Sequence, residues 1–392
     1  YNGDSPSIYD FLIEVFSNNL SFGKKTGITK ESKILIGMWK DSVSYQTVFK
    51  DLSQKIAGDL KVESALNELS LDDIIQEDLF ELIDKRIISE LVKLICDESI
   101  STDRLSQLAK QRENKYWYRD YEDFYACLEN GMQMITLIRK YQKTKIESFG
   151  DGVNSYVQQH FKIDYYYRQY INHYRKAKQN KALQPLTEKI EKVYCNNWLL
   201  DYGNDWQRII DATETWHNSI KTSQYRFFTD HVKPFISKGQ RLFVIISDAL
   251  RYECGWEYLQ SIHSEKRFEG DLEYMVSALP SYTQLGMAAL LPNTNISVQP
   301  KTDNILINGN PTQGIQGRNK ILEQLTGVRA TAINAEDFVK MNSATEGRDF
   351  VKKHDLIYIY HNRIDKVGDD KTSEEKVFEA VEQELEFLMD II

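Results

Sequence analysis

The stretch RLFVIISD at residues 241–248 decides the fold. It is a short apolar run that ends in an acid, and it predicts a buried parallel strand because such strands are apolar on both faces. Residues 272–278 (LEYMVSA) and 354–360 (HDLIYIY) predict further strands of this kind, and a helical pattern at 317–324 lies between them. Strands that alternate with helices indicate a mainly parallel sheet covered by helices, so we expect an α/β domain here.

The chain before this stretch has a different character. No proline occurs between Ser7 and Gln184, which favours long helices because proline breaks a helix interior. The sequence therefore predicts a multidomain protein in which an all-helical N-terminal region precedes the α/β domain. Glycines at 150–152 and the sequence Lys-Gly-Gln at 238–240 mark the expected boundaries. The predicted divisions are a helical domain at 1–150, a helical linker or subdomain at 151–240 and the α/β domain at 241–392.

Composition limits the classes of partner. The 392 residues carry a net charge of −9, which disfavours a protein that works by neutralising nucleic-acid phosphates. Residues 165–178 interleave tyrosines with basic residues; they predict either base stacking or a helix that packs its tyrosines inward, and direct nucleic-acid contact stays open. Four widely spaced cysteines indicate free thiols and a cytoplasmic location. No run of about 18 apolar residues predicts a membrane helix.

Two polar residues follow apolar stretches at places where α/β sheets gather ligands. Asp248 ends the first predicted strand, and its carboxylate is a hard ligand for Zn²⁺, Mg²⁺ or Mn²⁺. The alternative is an N-cap for a helix that begins at Ala249. Thr283 precedes a predicted helix at 284–291, where a hydroxyl meets the positive end of the helix dipole and suits a nucleophile that attacks phosphorus. The alternative is that Thr283 or Ser281 only caps this helix.

A third polar cluster, YIYHNRIDKVGDD at 358–370, follows the last predicted strand. Asp365 and Asp369 lie four residues apart, so they can share one face of a helix or turn and bind one ion. The alternative is an acidic loop whose charges are simply solvated. His361 lies nearby, although a histidine just past a strand is often structural.

The order of Asp248, Thr283 and Asp365, each just past a predicted strand, resembles the alkaline phosphatase superfamily. The segments SDALRYE, LPSYTQLGMAALLP, INGNPTQGIQGRNKIL and IYHNRIDKVGDD are similar to those of the PglZ phosphatases of BREX phage-defence systems, in their type A form. The resemblance covers residues 30–392 and is weaker before residue 30, and it implies an alkaline-phosphatase-like α/β domain.

This resemblance also implies an activity. The protein would be a metal-dependent phosphatase or phosphodiesterase of bacterial phage defence, with a phosphate ester as substrate and other BREX components as partners. Its cofactors would be two divalent metal ions, expected to be Zn²⁺. Thr283 matches the phosphoryl-accepting nucleophile that bridges the metals, Asp248 a ligand of one ion and Asp365 a ligand of the other. Asp369 stands where many superfamily members carry histidine, which puts its role as a ligand in doubt.

One further residue and one segment are candidates to contact the phosphate or to cover the substrate. Arg251 follows Asp248 by three and is a candidate to bind phosphate through its guanidinium, unless it is a surface helix residue. Residues 304–320, which include Arg318, look like a turn and a helix start that could cover the substrate, a point that the sequence leaves open.

Part of the superfamily's metal site has no match in the chain. The later Asp-His pair and the last histidine are expected beyond Ile392, so we expect the C-terminal part of the domain to be missing and this chain alone to be inactive. The rival hypothesis is a catalytically idle phosphatase-like scaffold that assembles a defence complex.

Overall fold

The computed structural model describes residues 6–178, 180–213 and 222–392. The chain divides into two compact units, of which the first comprises Tyr1–Lys145 and Lys162–Asn204 and the second Ile146–Phe161 and Asp205–Ile392. These units follow compactness in space. The predicted division at residues 150 and 240 follows sequence character and stays a prediction.

Before residue 240 the described chain is mainly helical, as the proline-free sequence predicts. The helices are α1 (Ile8–Asn19), α2 (Thr29–Asp41), α3 (Gln46–Asp59), α4 (Val62–Asn67), α5 (Leu71–Ile74), α6 (Glu81–Cys96), α7 (Thr102–Arg112), α8 (Tyr118–Tyr141), α9 (Phe149–Ser155), α10 (Phe161–Lys176), α11 (Gln184–Glu191), α12 (Leu200–Asp211) and α13 (Lys233–Ile236). Shorter 3₁₀ or π turns cover Val43–Tyr45, Tyr156–His160, Lys181–Leu183, Lys192–Leu199, Gln224–Arg226 and Phe228–Val232. Across the described residues, no helix has both the length and the apolar character that a bilayer crossing requires.

A buried ion pair lies in the core of the first unit. Arg112 and Asp84 are fully buried, with Arg112 Nη2 2.7 Å from Asp84 Oδ2 and Nε 3.1 Å from Oδ1. Arg112 Nη1 also donates to the carbonyls of Ile75 and Glu77, and the Tyr125 hydroxyl donates to Asp84 Oδ1 at 2.6 Å. Buried charge is tolerated when it is paired and hydrogen-bonded in this way, so the pair can join α6, α7 and α8.

The second unit contains the β-strands. They are β1 (Leu242–Ser247), β2 (Ile296–Val298), β3 (Ile305–Ile307), β4 (Asn310–Pro311), β5 (Ala330–Asn334) and β6 (Leu356–His361). A three-stranded parallel sheet has the order β1-β6-β5, and both Leu242 and Ala330 lie opposite Leu356. Strands β2, β3 and β4 form a small antiparallel sheet. The central strand β6 is buried along its whole length, as its apolar sequence predicts.

The helices of this part of the chain are α14 (Tyr252–Ser264), α15 (Thr283–Ala289), α16 (Gly314–Leu325), α17 (Ala335–Lys340), α18 (Glu346–Lys353), α19 (Arg363–Asp369) and α20 (Val377–Ile391), and a 3₁₀ turn covers Glu374–Lys376. Both faces of the parallel sheet are covered by helices, and α14 and α19 pack against α20. Tyr358 and Tyr360 of β6 face a core with α15 and α16, while Ile357 and Ile359 face a core with α17 and α20. The second unit is therefore the expected α/β layer structure.

The sheet differs from the sequence prediction in two places. Residues 272–278 do not form a buried parallel strand; Val276 makes only an isolated parallel bridge with Ser223, and Met275 is 44% exposed. The prediction is wrong because alternate side chains of this stretch face solvent rather than a second apolar layer. Strand β5 was not predicted, since its sequence ATAIN lacks the apolar run that marks a buried strand.

Candidate active site at the strand ends

The carboxyl ends of β1 and β6 meet at one edge of the parallel sheet. Ser247 lies opposite His361 in the register, and the next residue, Asp248, donates its backbone N–H to the His361 carbonyl at 2.9 Å. Helix α19, which carries Asp365, starts directly after β6. The topology of the sheet therefore places both acids at the same edge.

Asp248 lies in a turn and not at a helix start. Helix α14 begins at Tyr252 with Arg251 as its N-cap. Ala249 has a positive φ of 64°, and its N–H donates to Asp248 Oδ1 at 3.1 Å. The N-cap alternative for Asp248 is therefore wrong, since no helix begins at Ala249.

The acids at this edge repel one another. Burial raises the pKa of Asp248 to about 6; the negative charges of Asp365 and Asp369 add to this shift, and the Ala249 N–H and the positive charge of Arg318 oppose it. Burial and then the charge of Asp369 raise the pKa of Asp365. Within residues 222–392, neither Asp248 nor Asp365 forms an ion pair with a cationic side chain. A bound cation would remove this repulsion.

Thr283 is the first residue of α15 and does not cap it. The N-cap is Tyr282, and no side chain makes a capping hydrogen bond there, so the capping alternative for Thr283 or Ser281 is wrong. Thr283 is half-buried and lines a cavity of about 400 Å³ with Asp248. Thr283, Asp248 and Asp365 also line an adjoining cavity of about 520 Å³. The structure therefore brings these three residues together.

Arg251 and Asp369 line neither of these cavities. Arg251 is exposed at the start of α14, and Asp369 is exposed at the last residue of α19. Asp369 acts on Asp248 and Asp365 through its charge. The assignments of Arg251 to phosphate and of Asp369 to a metal stay predictions.

His361 belongs to a buried cluster under the site. Its Nδ1 lies 2.5 Å from Glu384 Oε2 of α20, and its ring stacks on Phe387 with 4.4 Å between centroids. The Ser247 hydroxyl donates to the other carboxylate oxygen of Glu384 at 2.5 Å. This cluster joins α20 to the carboxyl ends of β1 and β6, so it supports the backbone that carries Asp248.

Arg318 of α16 is a site residue that the sequence pattern does not single out. It lines the 400 Å³ cavity, is only 9% exposed, and stacks over the Tyr360 ring at 4.1 Å from the centroid. Arginine on a helix is usually exposed, so the sequence offers no signal for this burial beyond the turn-and-helix segment around it.

The donor set suits a hard divalent cation in its chemistry. Asp248 and Asp365 supply carboxylate oxygens, and Thr283 supplies a hydroxyl beside them. Within residues 6–178, 180–213 and 222–392, however, no three His, Cys, Asp or Glu side chains are grouped closely enough to hold a metal ion. The described residues therefore supply an incomplete ligand set, since a structural metal site usually has four protein ligands.

Comparisons with known proteins give the family. Residues 227–392 match the family model of the BREX system PglZ alkaline phosphatase-like domain. Over its whole length the chain is 30% identical to the alkaline phosphatase-like protein BrxZ of Escherichia coli O9:H4 (strain HS), and 27% identical to the alkaline phosphatase-like protein PglZ of Bacillus cereus (strain H3081.97). The chain spans 48% and 47% of the lengths of these two relatives. As the resemblance predicts, residues 227–392 belong to the PglZ family of alkaline phosphatase-like domains.

Proposed function

We propose that the protein is a metal-dependent phosphatase or phosphodiesterase of bacterial phage defence, with Thr283 as its nucleophile. One observation carries the proposal: the Thr283 side chain makes no capping hydrogen bond and lines the same cavity as the mutually repelling acids Asp248 and Asp365. The alkaline phosphatase-like names of the family and of both relatives support phosphoester chemistry. By the same relationship, other BREX components would be its partners.

The side chains have distinct roles in this proposal. Asp248 and Asp365 would hold the divalent ions, for which we propose Zn²⁺, and the charge of Asp369 would add to the attraction. Such ions, when bound, polarise a phosphoryl oxygen and lower the pKa of a nearby hydroxyl. The Thr283 oxygen would bond to phosphorus while the ester P–O bond breaks and the alcohol leaves. Water would then cleave the phosphothreonine and restore the hydroxyl.

A second candidate is a catalytically idle scaffold that assembles a defence complex. The incomplete ligand set favours it, because no three candidate side chains are grouped for a metal within the part of the chain that the structure describes. The two candidates differ in ester hydrolysis. A scaffold hydrolyses no ester, whereas the proposed enzyme hydrolyses one and needs the Thr283 hydroxyl to do so.

Substitution of Thr283 tests the proposal in a protein of the relatives' length that contains this chain. We expect Thr283→Ala to lower the hydrolysis of p-nitrophenyl phosphate or bis-p-nitrophenyl phosphate by at least about 10³-fold, because it removes the nucleophile. Thr283→Ser, which keeps a hydroxyl, should retain part of the activity. Ser281→Ala is the matched control, since it removes a neighbouring exposed hydroxyl.

A thermal melt of each variant separates lost chemistry from lost folding. Full activity in a folded Thr283→Ala variant would contradict the assignment of the nucleophile. Absence of hydrolysis by the wild-type protein with either ester, in the presence of Zn²⁺, would favour the scaffold.

A further inference from the structure

Four buried polar atoms on side chains that line the 400 Å³ cavity have no hydrogen-bond partner within the described residues. One is Nδ1 of His361, which still has the Glu384 carboxylate beside it at 2.5 Å. The other three are Nε of Arg318, Oε1 of Gln284 and the hydroxyl of Tyr360. Nearly all buried polar groups in proteins are hydrogen-bonded, and an unsatisfied one is costly. Three in one cavity indicate a polar ligand that completes their bonds.

Arg318 is the charged member of this group. Its guanidinium forms no ion pair with a carboxylate within the described residues of the second unit, and it influences Asp248 only through its charge. The cavity's other acid, Glu336, lies 3.5 Å from Nε2 of His361. Stacking on Tyr360 holds the guanidinium plane and leaves its N–H groups for another acceptor. A buried guanidinium without a hydrogen-bonded carboxylate is suited to bind an anion.

We propose that Arg318, with Tyr360 and Gln284, forms the subsite that binds the negatively charged oxygens of the phosphoryl group attacked by Thr283. The guanidinium fork matches two oxygens of a phosphate, and the Tyr360 hydroxyl can donate to a third acceptor. The Gln284 amide presents either its oxygen or its NH₂ group by rotation. The proposal rests on the proposed function for the identity of the anion, and it gives the phosphate contact to Arg318 rather than to the exposed Arg251.

A purely structural role for Arg318 makes a different prediction. If stacking on Tyr360 were its whole function, replacement of Arg318 would lower stability and leave anion binding unchanged. The subsite predicts the reverse, because the Arg318 guanidinium makes no hydrogen bond with the residues that the structure describes. The two roles are separated by measuring affinity and stability on the same variants.

The test is the affinity of the protein for inorganic phosphate, measured by isothermal titration calorimetry in the presence of Zn²⁺. We expect Arg318→Met to weaken phosphate binding about 10- to 100-fold, because a charged hydrogen-bond donor to the anion is lost. The phosphate affinity of Arg318→Lys should lie between those of the wild type and Arg318→Met, since lysine keeps the charge and loses the guanidinium fork. Lys320→Met is the matched control: it removes the same charge from the exposed side of the same helix and should change affinity by less than about twofold.

Several outcomes would overturn the subsite. They are a folded Arg318→Met variant with wild-type phosphate affinity, an equal loss in Lys320→Met, and a wild-type protein that binds no phosphate. If Arg318→Met does not fold, Tyr360→Phe removes only the unpaired hydroxyl, and unchanged affinity in that variant would also count against the proposal.

Phosphate binding is measured without turnover, so the two proposals can fail separately. Phosphate binding that depends on Arg318, in a protein that hydrolyses no ester, would refute the proposed enzyme and keep the anion subsite. Hydrolysis that depends on Thr283, with phosphate binding independent of Arg318, would refute the subsite alone.

Discussion

Arg112 and Arg318 are both buried, but their surroundings differ. Arg112, in the first unit, forms two hydrogen bonds with the carboxylate of Asp84 and donates to two backbone carbonyls. Arg318, in the second unit, has an aromatic ring beside it and no carboxylate partner within the described residues. A buried arginine thus has its hydrogen bonds satisfied by the protein in the first unit and lacks them, within the described residues, in the second.

The difference shows that burial alone does not identify a functional charge. The informative property is whether the hydrogen bonds of the buried group are already made inside the protein. Removal of a satisfied partner leaves a bare buried charge behind, whereas removal of an unsatisfied group leaves nothing unpaired. The same substitution should therefore lower the stability much more at Arg112 than at Arg318.

The largest effect is expected from Arg112→Met. The substitution leaves Asp84 buried without its cation, which should lower the free energy of unfolding by about 3–5 kcal/mol. Urea unfolding of the whole chain, followed by circular dichroism, measures it. Arg139→Met removes an exposed partner of Glu98 and should change stability by less than about 1 kcal/mol. A loss below about 1 kcal/mol in Arg112→Met would mean that the buried pair is not a structural link.

A smaller effect of the opposite sign is expected from Asp248→Asn in the metal-free protein. The pKa of Asp248 rises from its ordinary 3.8 to about 6 in the fold, so its charged form destabilises the native state. At neutral pH the substitution should stabilise the chain by about 1–2 kcal/mol, after allowance for the solvent that screens this half-buried group.

The pH dependence of this effect has a definite sign. The penalty on the wild-type protein is fully present above pH 6 and disappears as the pH falls through about 6 towards 3.8, because both folded and unfolded states then carry the neutral acid. Unfolding curves of wild type and Asp248→Asn should therefore converge in acid. A constant difference between pH 7 and pH 4 would contradict the electrostatic explanation.

The smallest effect on stability is expected from Arg318→Met. Since Arg318 makes no hydrogen bond with the described residues, its removal leaves none of them unpaired, and we expect a change in stability of less than about 1 kcal/mol in either direction. The same urea measurement as for Arg112→Met decides it. A loss of about 3 kcal/mol or more would show that the two arginines are alike and that both are structural.

The sequence predicted the parts of the site that lie next to strong local patterns. Strands β1 and β6 are continuous apolar runs, so the acids that follow them, Asp248 and Asp365, could be placed at strand ends. Thr283 could be placed at a helix start from the helical pattern that follows it, although the strand predicted before it does not form. The joint position of Asp248 and Asp365 at one edge follows from the parallel pairing of β1 and β6.

The parts that depend on packing could not be predicted. Residues 272–278 have the apolar content of a strand, but only the arrangement of their neighbours decides that alternate side chains face solvent. Strand β5 is a small-residue sequence that acquires its conformation by pairing with β6. The burial of Arg318 depends on how α16 lies against Tyr360, which is distant in sequence and leaves no periodic signal.

The central claim is that Asp248 and Asp365 hold a divalent cation beside Thr283. Zinc titration by calorimetry, with metal content of the purified protein as a second readout, tests it most directly. We expect Asp248→Asn and Asp365→Asn each to lower zinc affinity at least about 10-fold, whereas Asp349→Asn, which neutralises an exposed acid of α18, should leave it unchanged. Wild-type affinity in both site variants would contradict the account.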